Sequence, residues 1–145
     1  NAAITTDIMV GFPGETEDDF AASVAFARET GFAKVHVFPY SPRPGTPAAN
    51  RPEQVPEPVK TRRAKEMREA TEETRDAFLY RMAGRVEKVL VETTRTPLGY
   101  EGCTPNYTPV LVDCGPECCG RILPVRITGR ADGRCIGQIL GPEEV

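Results

Sequence analysis

The chain has 145 residues, of which 39% are hydrophobic and 27% are charged, and its formal net charge is −3. The length suits one ordinary domain or two small ones. The negative charge argues against a surface that binds polyanions everywhere, so a nucleic-acid contact must come from a local patch. The absence of a long apolar run and of a signal peptide predicts a soluble, cytoplasmic protein. Because residue 1 is Asn and a strand follows almost at once, we expect a piece of a longer protein.

The segment 7–16 has the pattern of a strand, a tight turn and a helix start. Residues 7–10 are mostly apolar and include β-branched side chains, which is typical of a strand buried on both faces. The Gly-Phe-Pro-Gly of residues 11–14 ends the strand. Thr16, followed by three acids, predicts a capped helix N-terminus. Such a turn presents backbone amides at the edge of a sheet where α/β folds bind ligands; an ordinary strand-to-helix connection is the alternative.

The next elements complete a strand–helix–strand unit. Apolar spacing predicts a helix over 17–30, with Gly31 as its C-cap, and then a strand over 33–40 that is parallel to the first. Because two strands do not make a stable sheet, we expect further strands upstream. Prolines make 41–58 a loop. A charged helix follows over about 59–82, and its thin apolar stripe predicts a solvated helix laced with salt bridges. That stripe is Met67, Ala70, Thr74, Ala77 and Phe78.

Beyond Gly84 the pattern changes to short apolar runs separated by turn residues. Four or five short strands over about sixty residues predict a small antiparallel barrel of OB-like kind. The domain boundary is expected near residues 82–85. The predicted organisation is therefore α/β over residues 1–50, a proline-rich linker and helix over 51–82, and an all-β barrel over 83–145.

The cysteines point to free thiols rather than to a metal site. Without a secretory signal, a disulfide framework is not expected. His36 is the only histidine, so a mixed Cys/His zinc site lacks its second ligand type, and the adjacent Cys118 and Cys119 fit a tetrahedron poorly. His36 itself, within a strand, is interpreted as a core residue rather than a base.

Three segments resemble the closing third of a radical S-adenosylmethionine domain, as found in methylthiotransferases: Val-Gly-Phe-Pro-Gly-Glu-Thr (10–16), His-Val-Phe-Pro-Tyr-Ser (36–41) and Arg-Pro-Gly-Thr-Pro-Ala (43–48). The C-terminal barrel resembles their TRAM domain, an RNA-binding module. The amino-acid sequences of segments 54–60 and 102–107 are most similar to those of the subclass that acts on threonylcarbamoyladenosine in tRNA. The isopentenyladenosine and ribosomal-protein subclasses are alternatives, as is an RNA-binding module without catalysis.

The resemblance implies methylthiolation at C2 of the modified adenine next to the anticodon. In that family one 4Fe-4S cluster reductively cleaves S-adenosylmethionine, an auxiliary 4Fe-4S cluster delivers sulfur, and a second S-adenosylmethionine supplies the methyl group. The cysteine ligands of both clusters belong to upstream motifs absent from this chain, so we expect it to be inactive by itself. The implied partners are the tRNA anticodon stem-loop and a reductant such as flavodoxin, with no membrane.

The resemblance assigns no catalytic residue and no metal ligand to this chain. Its implied cofactor-binding positions are Gly11, Pro13, Gly14, Glu15, Phe38 and Tyr40. Helix-terminal charge is the alternative role for Glu15, and core filling is the alternative for Phe38. RNA recognition requires cations for phosphates and aromatic faces for bases. The candidate RNA-binding residues are Arg43, Arg85, Lys88, Tyr100, Tyr107, Arg126 and Arg130.

Overall fold

The computed structural model describes residues 2–141. They form two compact units: an N-terminal unit, Ile4–Arg75, and a barrel unit that contains Asp76 onward together with the start of the chain. The division falls inside a helix, several residues before the predicted boundary near 82–85, because Asp76 and Tyr80 at the end of that helix contact Arg130 of the barrel. Residue 1 and residues 142–145, the ends of the predicted segments 1–50 and 83–145, lie outside the described residues.

The N-terminal unit is a strand–helix–strand motif followed by a long helix. Strand β1 is Thr5–Val10, helix α1 is Glu17–Thr30 and strand β2 is Lys34–Pro39. The strands are parallel, with Thr5 opposite Lys34. Helix α1 begins and ends where the sequence predicted: Thr16 forms a capping box with Asp19, and Gly31 is left-handed with φ +67°. A 3-10 turn at Pro47–Asn50 precedes helix α2, Glu57–Met82.

Strand β1 is buried on one face, so the prediction of burial on both faces was wrong. Val10 is buried and Ile8 is half-buried, whereas Asp7 and Met9 are exposed. The buried side packs into a core formed by both helices and both strands. Helix α2 therefore covers one apolar face of the two-stranded sheet. The members of this core are Val10, Phe20, Ala27, Phe32, Val37, Ala64 and Met67.

Helix α2 has a more extensive buried face than its charged sequence suggested. Lys60 and Arg63 are each only 3% exposed, so the prediction of a solvated helix holds for its outer side alone. Ala77, which was predicted to belong to the apolar stripe, is exposed, and Leu79 is buried instead. The other predicted stripe residues, Met67, Ala70, Thr74 and Phe78, are buried. No helix among residues 2–141 is both long and apolar enough to cross a membrane.

The barrel unit is a closed five-stranded barrel in the order β3-β4-β5-β7-β6. The parallel pairing of β5 with β7 corrects the prediction of an antiparallel barrel; the other pairings are antiparallel. The apolar runs of the sequence predict strands near 86–91, 110–112, 122–127 and 136–140 but none at β4, whose first residue, Gly99, was assigned to a turn. Buried valines from several strands fill the interior. The strands are β3 Val86–Thr96, β4 Gly99–Cys103, β5 Pro109–Val112, β6 Ile122–Ala131 and β7 Arg134–Ile139.

The cysteines all lie in the barrel unit, and each is a free thiol. Burial raises the pKa of Cys135 to about 11. Burial, a hydrogen bond with Cys118 and nearby charges raise the pKa of Cys114 to about 11. Within the described part of the chain, no group of His, Cys, Asp or Glu side chains is arranged to hold a metal ion.

These thiols should be protected from alkylation in the folded chain. With a pKa of about 11, roughly one Cys135 thiol in a thousand is ionised at pH 8, against about a quarter at an unfolded pKa near 8.5. We expect iodoacetamide to modify Cys135 at least about a hundredfold more slowly in the native chain than in urea, as measured by peptide mass spectrometry. Because the folded pKa is raised, the stabilisation from the neutral thiol is lost as the pH rises from about 8.5 to 11. Equal native and unfolded rates would contradict this burial.

Candidate functional site

The predicted cofactor residues meet at one edge of the N-terminal unit, where parallel β1 and β2 both end. The Tyr40 amide donates to the Val10 carbonyl at 2.8 Å, and the Tyr40 ring meets the Phe12 ring edge-on with centroids 5.2 Å apart. The carboxyl edge of parallel strands is where α/β folds place ligand sites. We call residues 11–15 and 38–40, with the helix α2 side chains that contact them, the turn site.

The amides of the turn are used within the chain, which corrects the expectation that they are exposed to a ligand. The Gly11 amide donates to Glu15 Oε1 at 2.9 Å. The Gly14 amide donates to the Glu53 carbonyl, and the Glu15 amide to the Phe12 carbonyl, each at 2.9 Å. These three amides are therefore satisfied by protein groups and are not free to bind an anion.

Lys60 lies directly against the turn. Gly11 adopts φ +72°, and a Cβ built there would lie 2.3 Å from Lys60 Cγ. The Lys60 ammonium donates to the Tyr40 carbonyl at 3.1 Å and pairs with Glu57. The Lys60 stem thus packs against a backbone without a side chain, while its charged end satisfies the end of β2. Gly11 serves this contact as well as the turn geometry.

Arg63 holds the other end of the turn. Its Nη1 donates to Glu15 Oε1 at 2.7 Å and to the Glu15 carbonyl at 3.0 Å. Its Nη2 donates to Glu17 Oε1 at 2.7 Å, and hydrogen bonds from Arg63 and Arg62 lower the pKa of Glu17. Glu15 is consequently the hub of the turn, because one carboxylate oxygen accepts from both Gly11 and Arg63.

Sequence reasoning missed Lys60 and Arg63, although a signal was present. Both continue the apolar stripe of α2 backward from Met67 at helical spacing, and Ala64 shares that face. Two cations on an otherwise apolar stripe indicate buried groups with partners elsewhere. The sequence analysis treated every charged residue of α2 as exposed to solvent, and therefore did not separate these two buried cations from the others.

Two buried polar atoms of the turn site have no hydrogen-bond partner in the described residues: Tyr40 Oη and Arg63 Nε. A buried hydroxyl without a partner is unusual, and it gives this edge a group able to bind a polar ligand. Phe38 adds a half-buried aromatic wall beside the exposed His36, with the rings 5.4 Å apart. The exposure of His36 corrects its interpretation as a core residue.

Of the positions that the family resemblance implies for S-adenosylmethionine, Phe38 and Tyr40 contribute aromatic side chains to this edge. The Gly11, Gly14 and Glu15 amides and the Glu15 carboxylate already have protein partners, namely Glu15, Glu53, Phe12 and Arg63. Pro13 is buried. No cysteine lies in 4–75, so this unit has no ligand for an iron–sulfur cluster.

The structure separates the predicted RNA-binding residues into engaged and unengaged side chains. Arg85 pairs with Glu87 at 2.9 Å, and Arg130 Nη2 donates to Asp76 at 2.8 Å. Tyr100 is 8% exposed and belongs to a core cluster, so stacking on a base would require repacking. In the described part of the chain, the side chains of Arg43, Lys88 and Arg126 are exposed and have no polar partner.

Tyr107 is 87% exposed on a turn built to hold it outward. It has a positive φ of 61°, which is uncommon for a bulky residue. Its amide donates to the Thr104 carbonyl at 2.9 Å, and the Thr108 hydroxyl donates to Asn106 Oδ1 at 2.7 Å. This arrangement suits an aromatic presented to a partner.

Comparison with models of protein families gives no match. Among solved structures, the chain is similar to the apo form of Mycoplasma genitalium RNase R, with 11% sequence identity and a TM-score of 0.39. That similarity covers 57% of this chain and 17% of the RNase R chain. At this level it assigns no function.

Proposed function

We propose that the chain is the C-terminal part of a radical S-adenosylmethionine methylthiotransferase that modifies threonylcarbamoyladenosine in tRNA. In this proposal, Ile4–Arg75 supplies the last strand–helix–strand unit of a partial barrel that binds the cofactor. The C-terminal barrel is a TRAM-like, OB-like module that binds the RNA. The protein acts in the cytoplasm, and the cluster ligands lie in upstream segments.

The observation that carries the proposal is the meeting of the turn 11–15 with the end of β2 at one sheet edge. The family resemblance lies in the sequences of these same segments. The buried Lys60 and Arg63 hold the edge rigidly, and Tyr40 Oη supplies a buried polar atom beside it. When bound, S-adenosylmethionine would supply the radical and the methyl group. The residues of this chain would border it, orient it and exclude water.

A second candidate function is RNA binding without catalysis. It is favoured by the exposed, unpaired Lys88 and Arg126 and by the outward Tyr107 of the barrel. It is also the function that we expect of this chain when it is isolated from the cluster-binding segments.

Deletion of the gene that encodes the chain tests the proposed function. We expect the 2-methylthio derivative of threonylcarbamoyladenosine to disappear from bulk tRNA while unmethylthiolated threonylcarbamoyladenosine accumulates, as measured by nucleoside mass spectrometry. A complementing copy of the intact gene should restore the modification. Loss of methylthiolated isopentenyladenosine, or of the ribosomal-protein modification, would overturn the subclass. Unchanged modification of all three substrates would leave RNA binding without catalysis as the function.

A further inference from the structure

The outer surface of β3 and β6 brings together unpaired cations and exposed apolar side chains. On β3, Lys88 is exposed between Val86 and Leu90, which are 44% and 43% exposed. On β6, Ile122 is 65% exposed, and Arg126 is exposed four residues later. We define the β3–β6 face as Val86, Lys88, Leu90, Ile122, Pro124 and Arg126.

The strand register makes this set one continuous surface. Leu90 pairs with Ile122, Lys88 with Pro124 and Val86 with Arg126. Directly opposed side chains have Cβ atoms about 4.5–5.5 Å apart, and diagonal neighbours such as Lys88 and Arg126 are about 7–8 Å apart. Four residues of strand span about 14 Å. The face therefore presents two adjacent positive charges beside a short apolar strip.

The other cations of the barrel are mostly engaged. Arg130 pairs with Asp76, and Arg134 Nη2 donates to Glu101 at 2.8 Å. The Arg95 guanidinium lies 5.8 Å from the centroid of the buried Tyr100 ring. Within the described barrel residues, Lys88, Arg121 and Arg126 have no partner, and Arg121 directly precedes Ile122. Three of the barrel cations without an acidic partner thus lie on this face or its flank, whereas Arg95 lies over the Tyr100 ring near the other end of β3.

The adjoining surface of β4 and β5 has a different character. OB-like barrels commonly bind oligonucleotides on their second and third strands, which here are β4 and β5. In this barrel Glu101 of β4 is occupied by Arg134, its register partner Leu111 is only 2% exposed, and neither described strand contains a lysine or arginine. A polyanion gains little by binding there.

We propose that the β3–β6 face binds a short single-stranded RNA segment, a refinement that rests on the proposed RNA-binding role of the barrel. Lys88 and Arg126 would contact phosphates, while Leu90 and Ile122 would pack against the apolar faces of unstacked bases and riboses. Charge complementarity selects a polyanion, because no acid lies among the six residues of the face. The exposed Glu92 follows Leu90 on the same side of β3, at the end of the face away from Lys88 and Arg126. The apolar strip selects single strands, since a duplex keeps its base faces stacked inside.

Fluorescence anisotropy of the intact chain with a labelled uridine decamer tests this inference. Two phosphate contacts give a salt slope of about −1.4, so affinity should fall about sevenfold between 50 and 200 mM salt. Lys88→Ala or Arg126→Ala should halve that slope, and the double variant should nearly abolish the salt dependence. The matched control is Lys34→Ala, because Lys34 is exposed, has no polar partner in the described chain and lies in the other unit.

A second pair of variants tests the apolar strip. Leu90→Ser should weaken binding about three- to tenfold, because RNA would cover the exposed 43% of Leu90, which is worth about half of the transfer free energy of a whole leucine side chain. Leu98→Ser is the control, because Leu98 is 48% exposed on the β3–β4 turn and lies outside the face. Thermal unfolding by circular dichroism verifies that each variant is folded.

Three outcomes would overturn the assignment. Wild-type binding that survives in the Lys88→Ala, Arg126→Ala double variant would place RNA elsewhere on the chain. Binding of an RNA hairpin but not of the decamer would make the ligand a duplex. Self-association that Leu90→Ser abolishes, seen by sedimentation, would make the face an interface between copies. None of these binding results changes the expected effect of gene deletion on tRNA modification. The proposed RNA-binding face and the proposed methylthiotransferase function can therefore be disproved independently.

Discussion

Replacing Arg63 with Ala is expected to destabilise the N-terminal unit by about 3–5 kcal/mol, because it leaves a buried carboxylate without its cation. The side chains of Arg63 and Glu15 are only 4% and 13% exposed, with Nη1 and Oε1 2.7 Å apart. Arg63 also donates to the Glu15 carbonyl, so the same substitution removes a bond to the backbone of the turn.

Arg62 is the matched control, since it is adjacent in sequence and also paired. Its side chain is 45% exposed, and it contacts Glu17 and Glu66, which are 62% and 45% exposed. Exposed pairs of this kind contribute about 0–1 kcal/mol. Arg62→Ala should therefore leave stability almost unchanged, although it removes the same formal charge.

Because the chain has two compact units, the stability of the N-terminal unit must be measured separately from that of the barrel unit. Urea unfolding followed by circular dichroism should be combined with hydrogen exchange of peptides from 4–75, since the units need not unfold together. A cycle of Glu15→Gln and Arg63→Met isolates the pair, and the double variant should cost less than the sum of the single variants by about 0.5–3 kcal/mol. Equal destabilisation by Arg62→Ala and Arg63→Ala would contradict the burial of this contact.

Local signals in the sequence predicted helix α1 to the residue. Thr16 with Asp19, and Gly31 at the other end, depend only on neighbouring side chains and backbone preference. Strand β4 was missed for the converse reason. Its glycines are weak strand formers, and pairing on both sides by β3 and β5 overrides that preference.

The turn site was predicted only in part, because its geometry depends on contacts distant in sequence. The sequence predicted that β1 and β2 are parallel, which the structure confirms, and parallel strands bring the turn 11–15 and the end of β2 to one edge. Their support by Lys60 and Arg63 required knowing which face of α2 packs on the sheet. The barrel shows the same limit: composition suggested cations and aromatics, but it could not show that Arg85 and Arg130 pair with acids or that Tyr100 is buried.

Gly11→Ala should be one of the most damaging single-methyl additions in the N-terminal unit, at about 2–5 kcal/mol. A left-handed backbone costs an alanine about 1–2 kcal/mol, and crowding in a packed site adds about 1–3 kcal/mol. The crowding arises because the new Cβ would lie 2.3 Å from Lys60 Cγ and 2.9 Å from Lys60 Cδ. Lys60 cannot easily withdraw, since its ammonium is bound to the Tyr40 carbonyl.

Gly31→Ala separates the backbone cost from the crowding cost, because Gly31 has φ +67° and no heavy atom within 4 Å of the added Cβ. It should lose only the backbone term of about 1–2 kcal/mol. In a Lys60→Ala background the two closest atoms are removed and only the Cβ of residue 60 remains, 3.3 Å from the added Cβ, so the additional cost of Gly11→Ala should fall close to that of Gly31→Ala. Urea unfolding monitored by exchange of 4–75 measures all four variants. If Gly11→Ala and Gly31→Ala cost the same with Lys60 present, Lys60 does not confine the turn, and Gly11 is required by backbone conformation alone.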